Sequence, residues 1–301
     1  MASLIGGPFF FNMKLVDFLT LLFVSILWGG SFLFLRLLVL EGLAPMEIVS
    51  IRMMLAALFI TPFFIAKFKK YSFYDHGFAF VLVGILNTAL PFTLFAFASV
   101  ELGAGALSIL QATVPILTAL LLFSLYKGEF SVFKLIGVVI GFVGLFVLVG
   151  PSGGFDPFSS ILCIIASLSY AIAGIYLAKT PERISNSFIG MGSIIVGAII
   201  MLPFLLNSFN TLQNLTTDSW TYLAILGVIN TSLAYVIFIK LIKKIGPINA
   251  SFVTYLVPVS SISLGILVLD EVFTIPMFAG SVLIFMGVFF ANSEKKPKKQ
   301  H

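Results

Sequence analysis

Residues 84–146 read GILNTALPFTLFAFASVELGAGALSILQATVPILTALLLFSLYKGEFSVFKLIGVVIGFVGLF. They recur without a gap as residues 227–289, GVINTSLAYVIFIKLIKKIGPINASFVTYLVPVSSISLGILVLDEVFTIPMFAGSVLIFMGVF, at a constant offset of 143. Identical pairs include Gly84/Gly227, Asn87/Asn230, Thr88/Thr231, Phe95/Phe238, Gly103/Gly246, Ser108/Ser251, Pro115/Pro258, Gly137/Gly280, Phe142/Phe285 and Gly144/Gly287. The chain is therefore two copies of one apolar unit. In a membrane protein such a duplication points to transport, with the site lying between the copies.

The medium follows from composition. Of 301 residues 60% are hydrophobic and 10% charged, with mean hydropathy +1.16, whereas a soluble chain carries about 25% charged residues. Apolar runs near the bilayer-crossing length of about 20 residues fall at 16–39, 45–66, 77–98, 104–125, 132–150, 158–178, 187–206, 220–240, 247–268 and 275–292. The predicted fold class is an all-α membrane protein of ten transmembrane helices, arranged as two inverted-topology five-helix repeats. Five spans per copy is an odd number, so the second copy enters the membrane in the opposite sense. The predicted organisation is a cytoplasmic N-terminus (1–15), a first repeat (16–150), a linker (151–157), a second repeat (158–292) and a basic cytoplasmic tail (293–301). The linker, PSGGFDP, is turn-forming. The first span reads as an uncleaved signal anchor. Met13-Lys14 would make a natural start, with residues 1–12 as an upstream extension.

Charge sets the orientation. With the N-terminus cytoplasmic, that side receives 15 of the 17 basic residues, leaving only Arg36 and Arg52. This is the positive-inside distribution. Both termini are predicted cytoplasmic, in a multi-pass protein of the cell inner membrane. The net charge of +5 is spread over separate short loops, so a nucleic-acid partner is not expected. The expected partners are the lipid bilayer and a small-molecule substrate.

Catalytic material is sparse. The two histidines are His76 and His301, the single cysteine is Cys163, and all twelve acids lie in loops or near span ends. No metal site, catalytic residue or cofactor is expected. Without a carboxylate deep in the bundle, a facilitator or exchanger, or coupling at a span end, is favoured over a pump with a proton site in the bundle. The spans instead carry neutral polar groups at matched places. Gly84, Asn87, Pro91 and Phe95 share a face of the third span, and Gly227, Asn230 or Thr231, and Tyr235 match them in the eighth. Ser108, Gln111 and Pro115 lie along the fourth, matched by Ser251, Tyr255 and Pro258 in the ninth. Each Asn could be interhelical hydrogen-bond glue or cavity lining. Trp28, Ser31 and Tyr170 complete the cavity candidates as packing rings or ligand platforms. Pro115 and Pro258 predict matched kinks, static or moving. Gly137/Gly144 and Gly280/Gly287 predict close helix packing, with a homodimer seam as the alternative. Arg52 stands about 10 Å into the second span at 1.5 Å per residue. It can contact substrate, snorkel outward, or form a structural or gating pair with Glu41 or Glu47.

Longer motifs carry a family resemblance. SILWGGSFLFLR (25–36), LAPMEIVSIRMMLAALFI (43–60) with its Arg52, ASVELGAGALSILQATVPILTALLLFSLYKGE (98–129) ending in Glu129, and KIGPINASFVTYLVPVSSISLGILVLDE (244–271) ending in Glu271 resemble the EamA-type branch of the drug/metabolite transporter superfamily. The two glutamates align only at offset 142. The resemblance implies a ten-helix carrier with a central cavity between two five-helix repeats, and it marks Glu129 and Glu271 as gate or helix-end residues. Lacking a mid-span lysine, the chain is expected to move a small neutral or zwitterionic solute, amino-acid- or amine-like, outward. The competing classes are a membrane-embedded enzyme and a structural membrane subunit.

Overall fold

In a computed structural model, the structure describes residues 14–68, 73–125, 132–149, 155–180, 185–250 and 253–292. Among these residues it is all helix, with no strand. In chain order the first copy comprises α1 (Leu15–Leu40), α2 (Pro45–Phe68), α3 (Phe73–Gly84), a π-helical turn π1 (Ile85–Ala89), α4 (Leu90–Ala98), α5 (Ala104–Gln111), α6 (Val114–Leu125) and α7 (Val132–Val149). The second comprises α8 (Pro157–Lys179), α9 (Asn186–Asn207), the short α10 (Phe209–Asn214), α11 (Thr217–Ala224), π2 (Ile225–Leu233), α12 (Ala234–Ala250), α13 (Val253–Leu269) and α14 (Ile275–Asn292). Seven stretches of the described residues are long and apolar enough to cross a bilayer. The shorter apolar helices Ile136–Val147, Leu256–Leu269 and Ile275–Gly287 fall where the fifth, ninth and tenth spans are predicted.

Local chemistry sets the helix ends. Gly42, at φ +88°, closes α1, since its missing Cβ makes the left-handed conformation cheap. The Gly42 amide donates to the Val39 carbonyl at 3.0 Å and the Leu43 amide to that of Leu38 at 3.1 Å, the two-bond stop that satisfies orphan carbonyls. Pro45 opens α2, where its missing N–H costs nothing, and the Glu47 carboxylate accepts from the Ala44 amide at 2.9 Å. Asp156 caps α8 by accepting from the Ser159 amide at 2.7 Å, and this bond holds its carboxyl below the ordinary carboxylate range. Three helix starts and stops are thus written in three-to-five-residue signals.

The packing maps onto itself when the two copies are exchanged. α1 packs against α13, π2 and α12, and its counterpart α8 packs against α5, α6, α4 and π1. α2 meets its own counterpart α9, α5 meets α13, and α7 meets α14 most heavily of all. Each copy therefore buries its helices largely against the other. Lipid gives no hydrophobic drive between helices, so close backbone fit must supply the association. The glycine stripes do so between α7 and α14. A Cβ on Gly144 would come 2.8 Å from the Gly280 carbonyl oxygen, and one on Gly287 would come 2.6 Å from that of Gly137. These glycines are packing residues within the chain.

The predicted matched kinks differ between the copies. In the first, the chain leaves helix at Ala112–Thr113, and Pro115 sits in the first turn of α6. In the second, Pro258 lies inside the continuous α13. Because proline has no amide to give the preceding turn, it can either end a helix or bend one. The helix ends just upstream of Pro115 and continues through Pro258.

Candidate functional site

A cavity of about 920 Å³ lies between the copies. Its walls come from α1, α2, α3–π1–α4 and α5–α6 of the first copy, and α8, α9, π2–α12 and α13 of the second. No described residue of α7 or α14 lines it. The lining includes Trp28, Ser31, Asn87, Ser108, Gln111, Tyr170, Asn230 and Tyr235, so the structure brings together eight of the residues singled out from sequence. Ser251 lies outside the described residues, as does Glu129, and nothing is described of the Tyr255 side chain. Pro258 reaches the lining and Pro115 does not.

Two π turns place the asparagines. An α-helix that gains one residue per turn rotates everything after it, and such turns recur at functional sites. The single stripe expected for Gly84, Asn87, Pro91 and Phe95 is therefore split. Gly84 faces α9, where a Cβ would meet Val196 at 3.0 Å, while Asn87, Thr88 and Phe95 line the cavity. Asn230 and Thr231 occupy the same place in π2. Their sequence sign was the repeated Asn-Thr; the π geometry had none.

Aromatic rings shape the walls. Trp28 meets Phe238 edge-on with centroids 4.7 Å apart, and Tyr170 stacks on Phe95 at 6.3 Å. Gly190 makes room for Tyr235, since a Cβ there would overlap the phenol hydroxyl.

Arg52 is 6% exposed and lines the cavity, so it does not snorkel. Its Nε donates to Thr231 Oγ1 at 3.0 Å, and its guanidinium carbon stands 3.8 Å from the centroid of the Phe92 ring. The pairing considered with Glu41 or Glu47 is not what the structure holds. Glu41 instead accepts from the Ser219 hydroxyl and Glu47 from that of Thr211. Glu41 precedes α2 and Glu47 lies in its first turn, at the end of the bundle, and Arg52, about one and a half turns beyond Glu47, lines the cavity.

The two ends of the cavity differ. At one end it is lined by Leu177 and by Ser185, Asn186 and Ser187, and Asn186 is exposed. Lys67 Nζ donates there to Ser187 Oγ at 2.7 Å, so this is the lysine-rich end. At the other end contacts close the copies together. The Glu271 carboxylate accepts from the amides of Ala104 at 2.6 Å and Gly105 at 3.0 Å, fixing the N-terminus of α5. Carboxylate bonds to a helix N-terminus are strong because charge and helix dipole act together. Ser261 Oγ donates to the Ala104 carbonyl at 2.9 Å, and within the first copy Arg36 ties α1 to the end of α4 by donating to the carbonyls of Ser99 at 2.5 Å and Val100 at 2.6 Å.

The sequence matches the EamA-like transporter family twice, over residues 16–150 and 157–293. The chain belongs to the EamA-like transporter family. It is 25% identical to the uncharacterized transporter YvbV of Bacillus subtilis, over 93% of each chain. It is 24% identical to YoaV of the same organism, over 91% of this chain and 96% of that one. Protein PecM of Dickeya dadantii is 25% identical over 73% of this chain and 77% of its own. A solved crystal structure, 15% identical, aligns with 93% of this chain and 97% of its own at a TM-score of 0.60, which shows the fold. This EamA-like protein is thus a multi-pass membrane transporter, and the family names transporters rather than enzymes.

Proposed function

We propose that this EamA-like chain moves a small neutral or zwitterionic metabolite, amino-acid- or amine-like, outward across a cell inner membrane. Transport proceeds by alternating access of the two repeats around the central cavity. Ten crossings place both termini in the cytoplasm. The observation that supports this reading is one cavity of about 920 Å³, walled by equivalent helices of both copies and reaching the lysine-rich end while the other end is closed. That volume is in the range of small-molecule sites. The positive-inside bias makes the lysine-rich end cytoplasmic, so the cavity faces the cytoplasm. Its amides, hydroxyls and rings suit a solute with one polar end and an apolar body.

The test is counterflow in proteoliposomes loaded with unlabelled solute and offered the same solute labelled, across a panel of amino acids and amines. Uptake above that of protein-free liposomes for at least one member is expected. If no member of the panel exchanges, the reading fails, and a structural membrane subunit becomes the better account.

A further inference from the structure

The cavity contains an unbalanced cation. Among the described residues Arg52 is the one charged residue lining it, and no Asp or Glu does so. A guanidinium offers five N–H donors. Nε is taken by Thr231 and one face of the group by Phe92, but no described residue accepts from the Nη groups. Neutral partners of this kind leave a buried charge uncompensated, which is costly. The preceding residue on π2 adds an unpartnered donor: Asn230 is 2% exposed and lines the cavity, and its buried Nδ2, beside Gly30, has no hydrogen-bond partner. The other copy lacks an equivalent. α9, the counterpart of α2, carries no Lys or Arg, and although Thr88 and its counterpart Thr231 each donate to a carbonyl of their own turn, only Thr231 also accepts from a described guanidinium.

We propose that Arg52 and Asn230 form a carboxylate-binding subsite, so that the solute carried is a monocarboxylate with an apolar or aromatic body. The planar guanidinium matches a carboxylate bidentately, and the amide of Asn230, the residue before Thr231 on π2, supplies a third donor. A single negative group neutralises Arg52. A second would enter a wall with no further cation among the described residues, which disfavours dicarboxylates and phosphate esters. The body of the solute then lies along Trp28, Phe95, Tyr170 and Phe238. An amino acid fits with its ammonium over an aromatic face, whereas a simple amine leaves Arg52 unpaired. This proposal rests on the transport reading above: it keeps amino acids, drops simple amines and adds simple monocarboxylates.

Binding to the purified full chain, read as ligand-dependent thermal stabilisation, tests the subsite without requiring transport. The probes are L-phenylalanine, 3-phenylpropionate, L-phenylalaninamide and phenethylamine, with L-leucine and leucinamide as a smaller-bodied pair. The acids are expected to stabilise at concentrations at least tenfold below those of the amides and amine. Arg52→Gln should erase that preference, Arg52→Lys should retain part of it, and Asn230→Leu should weaken the acids severalfold. Equal stabilisation by acid and amide, no stabilisation by any acid, or an acid preference that survives Arg52→Gln would each overturn the proposal. Should Arg52→Gln not fold, the acid–amide comparison on the unaltered chain still decides. Counterflow of an amine with no acid preference would sink the subsite and leave the transport reading standing.

Discussion

At the scale of single residues, the cavity depends on a few side chains whose loss should cost transport more than folding. Gln111 is half-buried and lines the cavity from the last turn of α5. Gln111→Leu keeps the volume and removes the amide. We expect reduced counterflow with an unfolding temperature near that of the parent; unchanged transport would remove Gln111 from the site. Gly190 is a second case. Any Cβ there overlaps the Tyr235 hydroxyl, so Gly190→Ala must turn the phenol out of place. Expected are a stability loss of about 1–3 kcal/mol, typical of overpacking, and a larger loss of transport, measured by thermal unfolding and counterflow on one preparation. The polar residues were legible in sequence because polar groups are rare enough in an apolar span to stand out. Gly190 was not, because a glycine that yields space to a ring 45 positions away carries no local signal. Arg52 was legible as a misfit, but its neighbours Thr231 and Phe92 were not, since both are ordinary residues in other spans.

At the scale of elements, repeated residues revealed which helices matter, while helix geometry stayed hidden. The π turns have no composition of their own, so the period of 3.6 residues was carried through them and mis-aimed Gly84. The small-residue stripes on α7 and α14 were legible as packing faces because nothing else explains glycine every seven residues in a helix. Gly287→Ala tests that seam. Its Cβ would lie 2.6 Å from the Gly137 carbonyl oxygen and 2.7 Å from the Gly141 amide nitrogen, and backbone cannot rotate away as a side chain can. A loss of about 1–3 kcal/mol with substrate affinity retained is expected, because no described residue of either helix lines the cavity. Lost affinity at unchanged stability would show that α7 and α14 act on the site. The cap on α5 gives a further prediction. Glu271→Ala removes two bonds to helix amides and should cost about 0.5–2 kcal/mol. Because it unlatches one copy from the other, it should also raise labelling by impermeant thiol reagents of a cysteine introduced at the buried Leu102 beside the latch, measured from outside in intact cells. Unchanged labelling would mean that the Glu271 cap does not hold that end closed.

At the scale of the whole molecule, the repeat disclosed the two-copy plan, and lysine placement disclosed its expected orientation. The closed and open ends were hidden, because they depend on how one copy tilts against the other. Orientation is checked with cysteines at Ser72 and Gly154: the first should be protected from impermeant reagents in intact cells and the second reactive, and labelling of both would sink the ten-crossing plan. Energy coupling follows from the same plan. A carrier that binds a proton with its solute needs a group in the cavity able to hold it. Among the described residues, no carboxylate lines the cavity. Glu271 is engaged at the closed end by two backbone amides, while Asp17 is engaged by Lys244 at 2.5 Å. Acids placed at span ends cost little to keep ionised, so nothing compels them to titrate during the cycle. Counterflow should therefore proceed with equal pH on both sides of the vesicle, and dissipating a pH gradient should leave its rate within about twofold, a difference of roughly 0.4 kcal/mol in the barrier. Exchange that appears only when a gradient is imposed would mean that one of these acids, or Glu129, takes up a proton as the copies rock. The latch at Glu271 would then be the first place to look, since protonating that carboxylate removes the charge that holds α5.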